Sequence, residues 1–72
     1  MAMRNRLKEV RLEKGLTQES LATVVGVTRQ TVIAVEKSKF VPSVKLALEL
    51  ASALGTPLAD LFWLDSTEGA RP

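Results

Sequence analysis

With no cysteine and no histidine among its 72 residues, this chain has no thiolate nucleophile, no disulfide, no imidazole base and almost no zinc chemistry open to it. The carboxylates offer two spacings, Glu9 with Glu13 and Asp60 with Asp65, but no pocket-forming or metal-ligating set surrounds either pair. Both read as solvated faces. What remains is hydrogen-bonding chemistry, concentrated in Thr28-Arg29-Gln30-Thr31. A guanidinium donates two parallel bonds to a flat acceptor edge such as guanine O6/N7. A primary amide donates and accepts at once, as adenine N6/N7 requires. Ala34, one turn on, is small enough to touch a thymine methyl. Such groups recognise a partner without transforming it, so the inventory argues against an enzyme and against any bound cofactor or metal.

The elements that must present this tip follow from a count starting at Gln18. Alanine stands at the fifth position (Ala22) and glycine at the ninth (Gly26). Leu21, Val25, Val27, Val32 and Val35 occupy the fourth, eighth, tenth, fifteenth and eighteenth. Ala22 lets a second helix cross closely, and Gly26 supplies the positive φ of a sharp turn. Val27 plugs the corner, and the two later valines pack back on Leu21 and Val25. The spacing predicts a helix-turn-helix over about 18–37, with Thr17 and Thr28 as N-caps. The N-terminal end of the second of these helices is the part such a motif pushes into a DNA major groove. Thr28, Arg29, Gln30 and Ala34 are then base-contacting candidates. Gln18 and Thr31, with Lys37, Ser38 and Lys39 just past the helix, are phosphate-contacting candidates.

Three further helices frame this pair. Helix formers predict one over 5–14, closed by Gly15. Ser43 caps another over 44–54, whose expected inward stripe is Val44, Ala47, Leu48, Ala51 and Leu54. Thr56 as N-cap with Pro57 at the first helical position restarts a short helix through about Phe62. Residues 62–65 are β-compatible, and 65–72 read as a flexible polar tail. The expected class is therefore all-α: five short helices in one domain over 1–64, with a short C-terminal strand at a dimer interface.

A chain of this size buries only about 60% of its unfolded surface, which favours a second copy. Phe62, with Leu58 and Leu61, serves the core, whereas Trp63 and Leu64 exceed what so small a monomer covers. Trp63 and Leu64 with the adjoining Phe62, joined by Leu46 and Leu50 off the expected stripe, form the expected homodimer contact. Residues 1–45 carry a net charge of +5 and residues 46–72 carry −3, so the basic part suits a polyanion. No apolar run exceeds four residues, so no membrane span is expected, and no signal-peptide core precedes the charged start. A cytoplasmic location and no small-molecule ligand are expected.

The stretches LKEVRLEKGLTQESLA, VGVTRQTVIAVEKSK and PSVKLALELASALGTPLADLF together resemble the phage-repressor/Cro-like helix-turn-helix family, also called the XRE family. The match covers roughly residues 7–62, and TPLADLFW is similar to the short cytolysin-operon type of repressor. The resemblance implies a lambda repressor-like fold and a homodimeric repressor on double-stranded DNA with an inverted-repeat, palindromic operator. It implies a phosphate contact from Gln18, base readout by Thr28, Arg29, Gln30 and Ala34, and an ion pair between Arg11 and Glu36. Two features depart from the pattern. Lys37-Ser38 stands where Asn-Gly is common, and Ile33 is apolar where an outward polar residue is usual. Two alternatives share the scaffold: an antitoxin that holds a toxin on its C-terminal apolar patch, and a controller of restriction–modification genes.

Overall fold

A computed structural model describes residues 2–65. The order is β1 (Ala2–Asn5), α1 (Leu7–Glu13), α2 (Gln18–Val25), α3 (Arg29–Glu36), α4 (Val44–Ala53), α5 (Leu58–Leu61) and β2 (Phe62–Asp65). Five helices form as expected, and β2 occupies the β-compatible stretch. The class is nonetheless not all-α, because β1 pairs antiparallel with β2, Ala2 opposite Asp65 and Asn5 opposite Phe62. Asn5 therefore belongs to a strand rather than to the first helix. Its Oδ1 accepts the Leu7 N–H at 3.0 Å, which ends the strand and opens α1 two residues later than helix propensity alone indicates.

The caps explain most other boundaries. Thr17 Oγ1 accepts from the Ser20 N–H at 2.9 Å, while Ser20 Oγ returns a bond to the Thr17 N–H, closing a capping box on α2. Thr28 and Ser43 cap α3 and α4 by a single bond each, accepting the Thr31 and Leu46 N–H groups. Thr56 does not cap α5. Pro57 takes that position with extended backbone, and the Thr56 hydroxyl donates instead to the Leu54 carbonyl.

The aliphatic core gathers Leu7, Leu21, Val32, Val35, Leu50, Leu54 and Leu61, all essentially inaccessible, with Phe62 closing one end. On α4 the inward face differs from the expected stripe. Leu46, Ala47, Leu50, Ala51 and Leu54 are buried, whereas Val44 and Leu48 are exposed. The helix is apolar over roughly 200° of arc at about 100° per residue, so two overlapping stripes satisfy its periodicity. The one chosen lies opposite the polar edge of Lys45, Glu49 and Ser52. Lys45 Nζ and Glu49 Oε2 form an ion pair at 2.8 Å along that edge.

The expected tail begins one residue too early, since Asp65 closes β2 and pairs with Arg4 at 3.0 Å. The remainder of that expectation, residues 66–72, lies outside the described residues. Among the described residues no helix is long and apolar enough to cross a membrane.

Candidate nucleic-acid interface

α2 and α3 meet at a turn whose backbone is closed from within. Gly26 has φ +78°, and the Gly26 and Val27 N–H groups donate to the Thr23 and Ala22 carbonyls at 3.3 and 3.0 Å. This left-handed closure satisfies the last carbonyls of α2 and swings the chain into α3 within two residues. Beneath it, Leu21 and Ala22 face Val32 and Val35, all buried, with Val25 and Val27 packed at the rim. The core side of α3 is thus saturated, and its other side has to face solvent or a partner.

Thr28, Arg29 and Gln30 are exposed, and Thr31, Ile33 and Ala34 are half-buried. Thr28 Oγ1 accepts the Thr31 N–H at 3.2 Å, and the two threonine hydroxyls lie 3.1 Å apart. Past α3, Lys37, Ser38 and Lys39 are exposed. Ser38 takes φ +59°, the left-handed conformation that Gly adopts more readily, so the chain makes the turn without the glycine. The Ser38 and Lys39 N–H groups donate to the Val35 and Ala34 carbonyls at 3.0 and 2.9 Å.

Arg11 and Glu36 meet in an almost water-free site, their side chains 7% and 4% exposed and Arg11 Nε 2.6 Å from Glu36 Oε2. Arg11 Nη1 also donates to the Leu16 carbonyl at 2.9 Å, tying α1, the loop before α2, and α3 together. The other carboxylate oxygen, Oε1, accepts from Gln18 Nε2 at 3.1 Å. Gln18 Oε1 in turn accepts from Arg29 Nε at 3.4 Å. A line of four polar side chains therefore runs from the interior of α1 to the exposed N-terminus of α3. Reading the sequence by segments misses this line, because its members lie up to 25 residues apart and nothing local marks them. Of the Arg29 guanidinium this line engages Nε alone, and one Gln18 N–H remains beyond the bond to Glu36.

The expected dimer residues separate into two groups. Leu46, Leu50 and Phe62 are core residues of the monomer, at 8%, 1% and 7% exposed, which corrects their assignment to a contact surface. Trp63 and Leu64 remain 41% and 59% exposed on β2. They border a groove of about 240 Å³ with Met3, Pro42, Val44 and Leu58, and exposed Leu48 lies one turn along α4 from Val44. Val44 and Leu48 are the surface residues that the rotated stripe conceals in the sequence. The polar arc of α4 was the signal that locates them.

Comparison with known proteins agrees with this geometry. The helix-turn-helix family model matches residues 7–61. An uncharacterised HTH-type transcriptional regulator, YgzD of Bacillus subtilis, is 49% identical over 63 residues, covering 88% of this chain and 96% of the relative. The cryptic phage CTXphi transcriptional repressor RstR of Vibrio cholerae is 33% identical over 57 residues, 79% of this chain and 51% of RstR. Among solved structures, the restriction-modification controller protein C.AhdI from Aeromonas hydrophila superposes with a TM-score of 0.72. It is 40% identical, with 76% of this chain and 80% of the controller covered.

Proposed function

This chain belongs to the helix-turn-helix family of DNA-binding transcriptional regulators, and from that premise we propose that it acts as a homodimeric repressor on an inverted-repeat operator. The observation that carries the reading is the two-sided character of α3. Val32 and Val35 are sealed in the core, while Thr28, Arg29 and Gln30 stand exposed at its capped N-terminus. In the complex, Thr28, Arg29, Gln30 and Ala34 face base edges. Gln18, Thr31, Lys37, Ser38 and Lys39 face phosphates on either side. Arg29, engaged through Nε by Gln18, keeps its terminal fork for guanine O6/N7. The phosphate contacts supply much of the affinity and make it fall with salt.

The second copy docks on Trp63 and Leu64 with Val44 and Leu48, a surface that replaces the buried leucines in the expected set. A two-fold dimer places its recognition helices about 34 Å apart, in successive major grooves. Repression follows from occupying a promoter, and RstR, a repressor by name, supports that choice over activation.

Selection of bound sites from a random duplex library at physiological salt tests nucleic-acid binding, symmetry and half-site spacing together. Arg29→Ala and Gln30→Ala are each expected to cost about 1–3 kcal/mol on the selected site and to relax preference at one position, with the fold intact. Unchanged base preference in both variants removes the readout role. Trp63→Asp is expected to give monomers in sedimentation, and a wild type that stays monomeric at high concentration removes the dimer. The 40% identity to C.AhdI favours one narrower reading, a controller of restriction–modification genes, which uses the same dimer and DNA chemistry. An adjacent methyltransferase reading frame decides for it.

A further inference from the structure

Asn5, the last residue of β1, is half-buried and paired in register with Phe62 of β2. Its amide bonds two other elements as well. Oδ1 accepts the first N–H of α1, from Leu7, at 3.0 Å. Nδ2 donates to the Val35 carbonyl at 3.0 Å and, at 3.4 Å, to Ser38 Oγ. The Val35 carbonyl belongs to the last turn of α3, where helical carbonyls lack partners inside the helix. The turn that follows is strained at Ser38 and is otherwise closed by the short-range Ser38 and Lys39 bonds to Val35 and Ala34. Among the described residues, Asn5 supplies the one side-chain hydrogen bond that reaches this turn from a different part of the fold, and beside it the bond to Val35 on the helical turn it leaves.

We infer that Asn5 is a positioning residue for DNA binding: it anchors the Lys37-Ser38-Lys39 turn to the β1–β2 sheet. This deepens the proposed function and rests on it. The sheet carries Trp63 and Leu64, the surface on which the second copy docks, and the turn carries the phosphate-facing lysines. The path from the subunit contact to the DNA backbone contact is then one strand pairing and one side chain long. The separation of the two turns across the dimer is set through it. Arg29 and Gln30 sit at the opposite end of α3, and Arg29 is held there by Gln18 instead.

Asn5→Asp separates this role from simple capping of α1. The aspartate keeps an oxygen for the Leu7 N–H but turns an acceptor toward the Val35 carbonyl, so the cap survives, the stronger 3.0 Å anchor is lost, and only the Ser38 hydroxyl can still donate to it. The full chain is titrated onto its library-selected operator over a salt series, and site selection is repeated with the variant. The slope of log affinity against log salt is expected to become shallower by about 1 or more, since each lost lysine contact removes about one unit. Preferred half-site spacing is expected to broaden, and base preference to stay as in the wild type. A wild-type slope and spacing in Asn5→Asp overturns the inference, whatever the melting temperature does.

Should Asn5→Asp not fold, Asn5→Ala, which introduces no repulsion, is read by the same slope. In a Lys37→Gln/Lys39→Gln background, adding the Asn5 variant is expected to change the slope no further. Additional shallowing there overturns the assignment of the effect to this turn. A wild type that selects no DNA sequence sinks the regulator reading and this inference together. A wild type that binds with a slope indifferent to Asn5 sinks the positioning role alone.

Discussion

The N-terminal tip of α3 and the face made by α4 and β2 both lie on the surface, but they expose opposite chemistries. At the tip, Thr28, Arg29 and Gln30 project from a helix whose other side is packed solid, and Lys37 and Lys39 add charge at its far end. On the other face the exposed groups are Val44, Leu48, Trp63 and Leu64, around an apolar groove. Polar side chains held on a rigid helix lose little by staying hydrated until a charged partner arrives. Exposed aliphatic and indole surface is unfavourable until something covers it. Under the proposed function, the first arrangement is a site in the monomer as it stands, and the second is half of one.

The sharpest way to break the contrast is to attack what holds the tip. Arg11→Met leaves the Glu36 carboxylate buried with only Gln18 as a partner, and such uncompensated charges cost about 3–5 kcal/mol. That is comparable to the whole stability of a domain this small, so a circular-dichroism melt is expected to show it largely unfolded at room temperature. Arg11→Met/Glu36→Leu removes both charges and is expected to regain most of the loss. A single variant that melts within a few degrees of wild type contradicts the claim that the pair is buried as a unit.

A smaller effect tests the other region. Leu50 is 1% exposed and Leu48 is 51% exposed on the same helix. Leu50→Ala is expected to lower monomer stability by about 2–5 kcal/mol in urea unfolding, the usual cost of a cavity left by a core leucine. Leu48→Ala is expected to change it by about 0.5 kcal/mol or less, while weakening self-association in sedimentation equilibrium. Equal losses in the two variants mean that α4 is rotated from the orientation described here.

The two regions also differ in how far sequence alone determines them. The α2–turn–α3 unit is written in local chemistry. Thr17 and Thr28 cap, Gly26 turns, and Val32 and Val35 repeat at helical spacing, so its bounds and its outward residues were all legible. The Arg11–Glu36 pair was reachable through family resemblance alone, because a contact across 25 residues leaves no periodic trace. The α4–sheet region depends on choices that local pattern leaves open. A helix apolar on more than half its circumference supports two stripes, and only the location of Lys45, Glu49 and Ser52 separates them. β1 is four residues long, and its hydrogen-bond partners lie near the other end of the chain, so propensity placed Asn5 in a helix.

The gentlest test compares the turns that end α2 and α3. Both are left-handed, with φ +78° at Gly26 and +59° at Ser38, yet only the first has a glycine. Left-handed backbone costs a residue with a side chain about 1–2 kcal/mol, and glycine avoids it. Against that gain, a glycine loosens the unfolded chain by about 0.4–1 kcal/mol. Ser38→Gly is therefore expected to stabilise by about 0.5 kcal/mol, raising the melting temperature by about 3 °C. Gly26→Ser, at a position where a Cβ meets nothing within 4 Å, is expected to move it the opposite way by strain alone. If Ser38→Gly instead lowers the melting temperature, the 3.4 Å bond from Asn5 to the Ser38 hydroxyl outweighs the backbone strain. The serine would then be held at this turn by the sheet it is tied to.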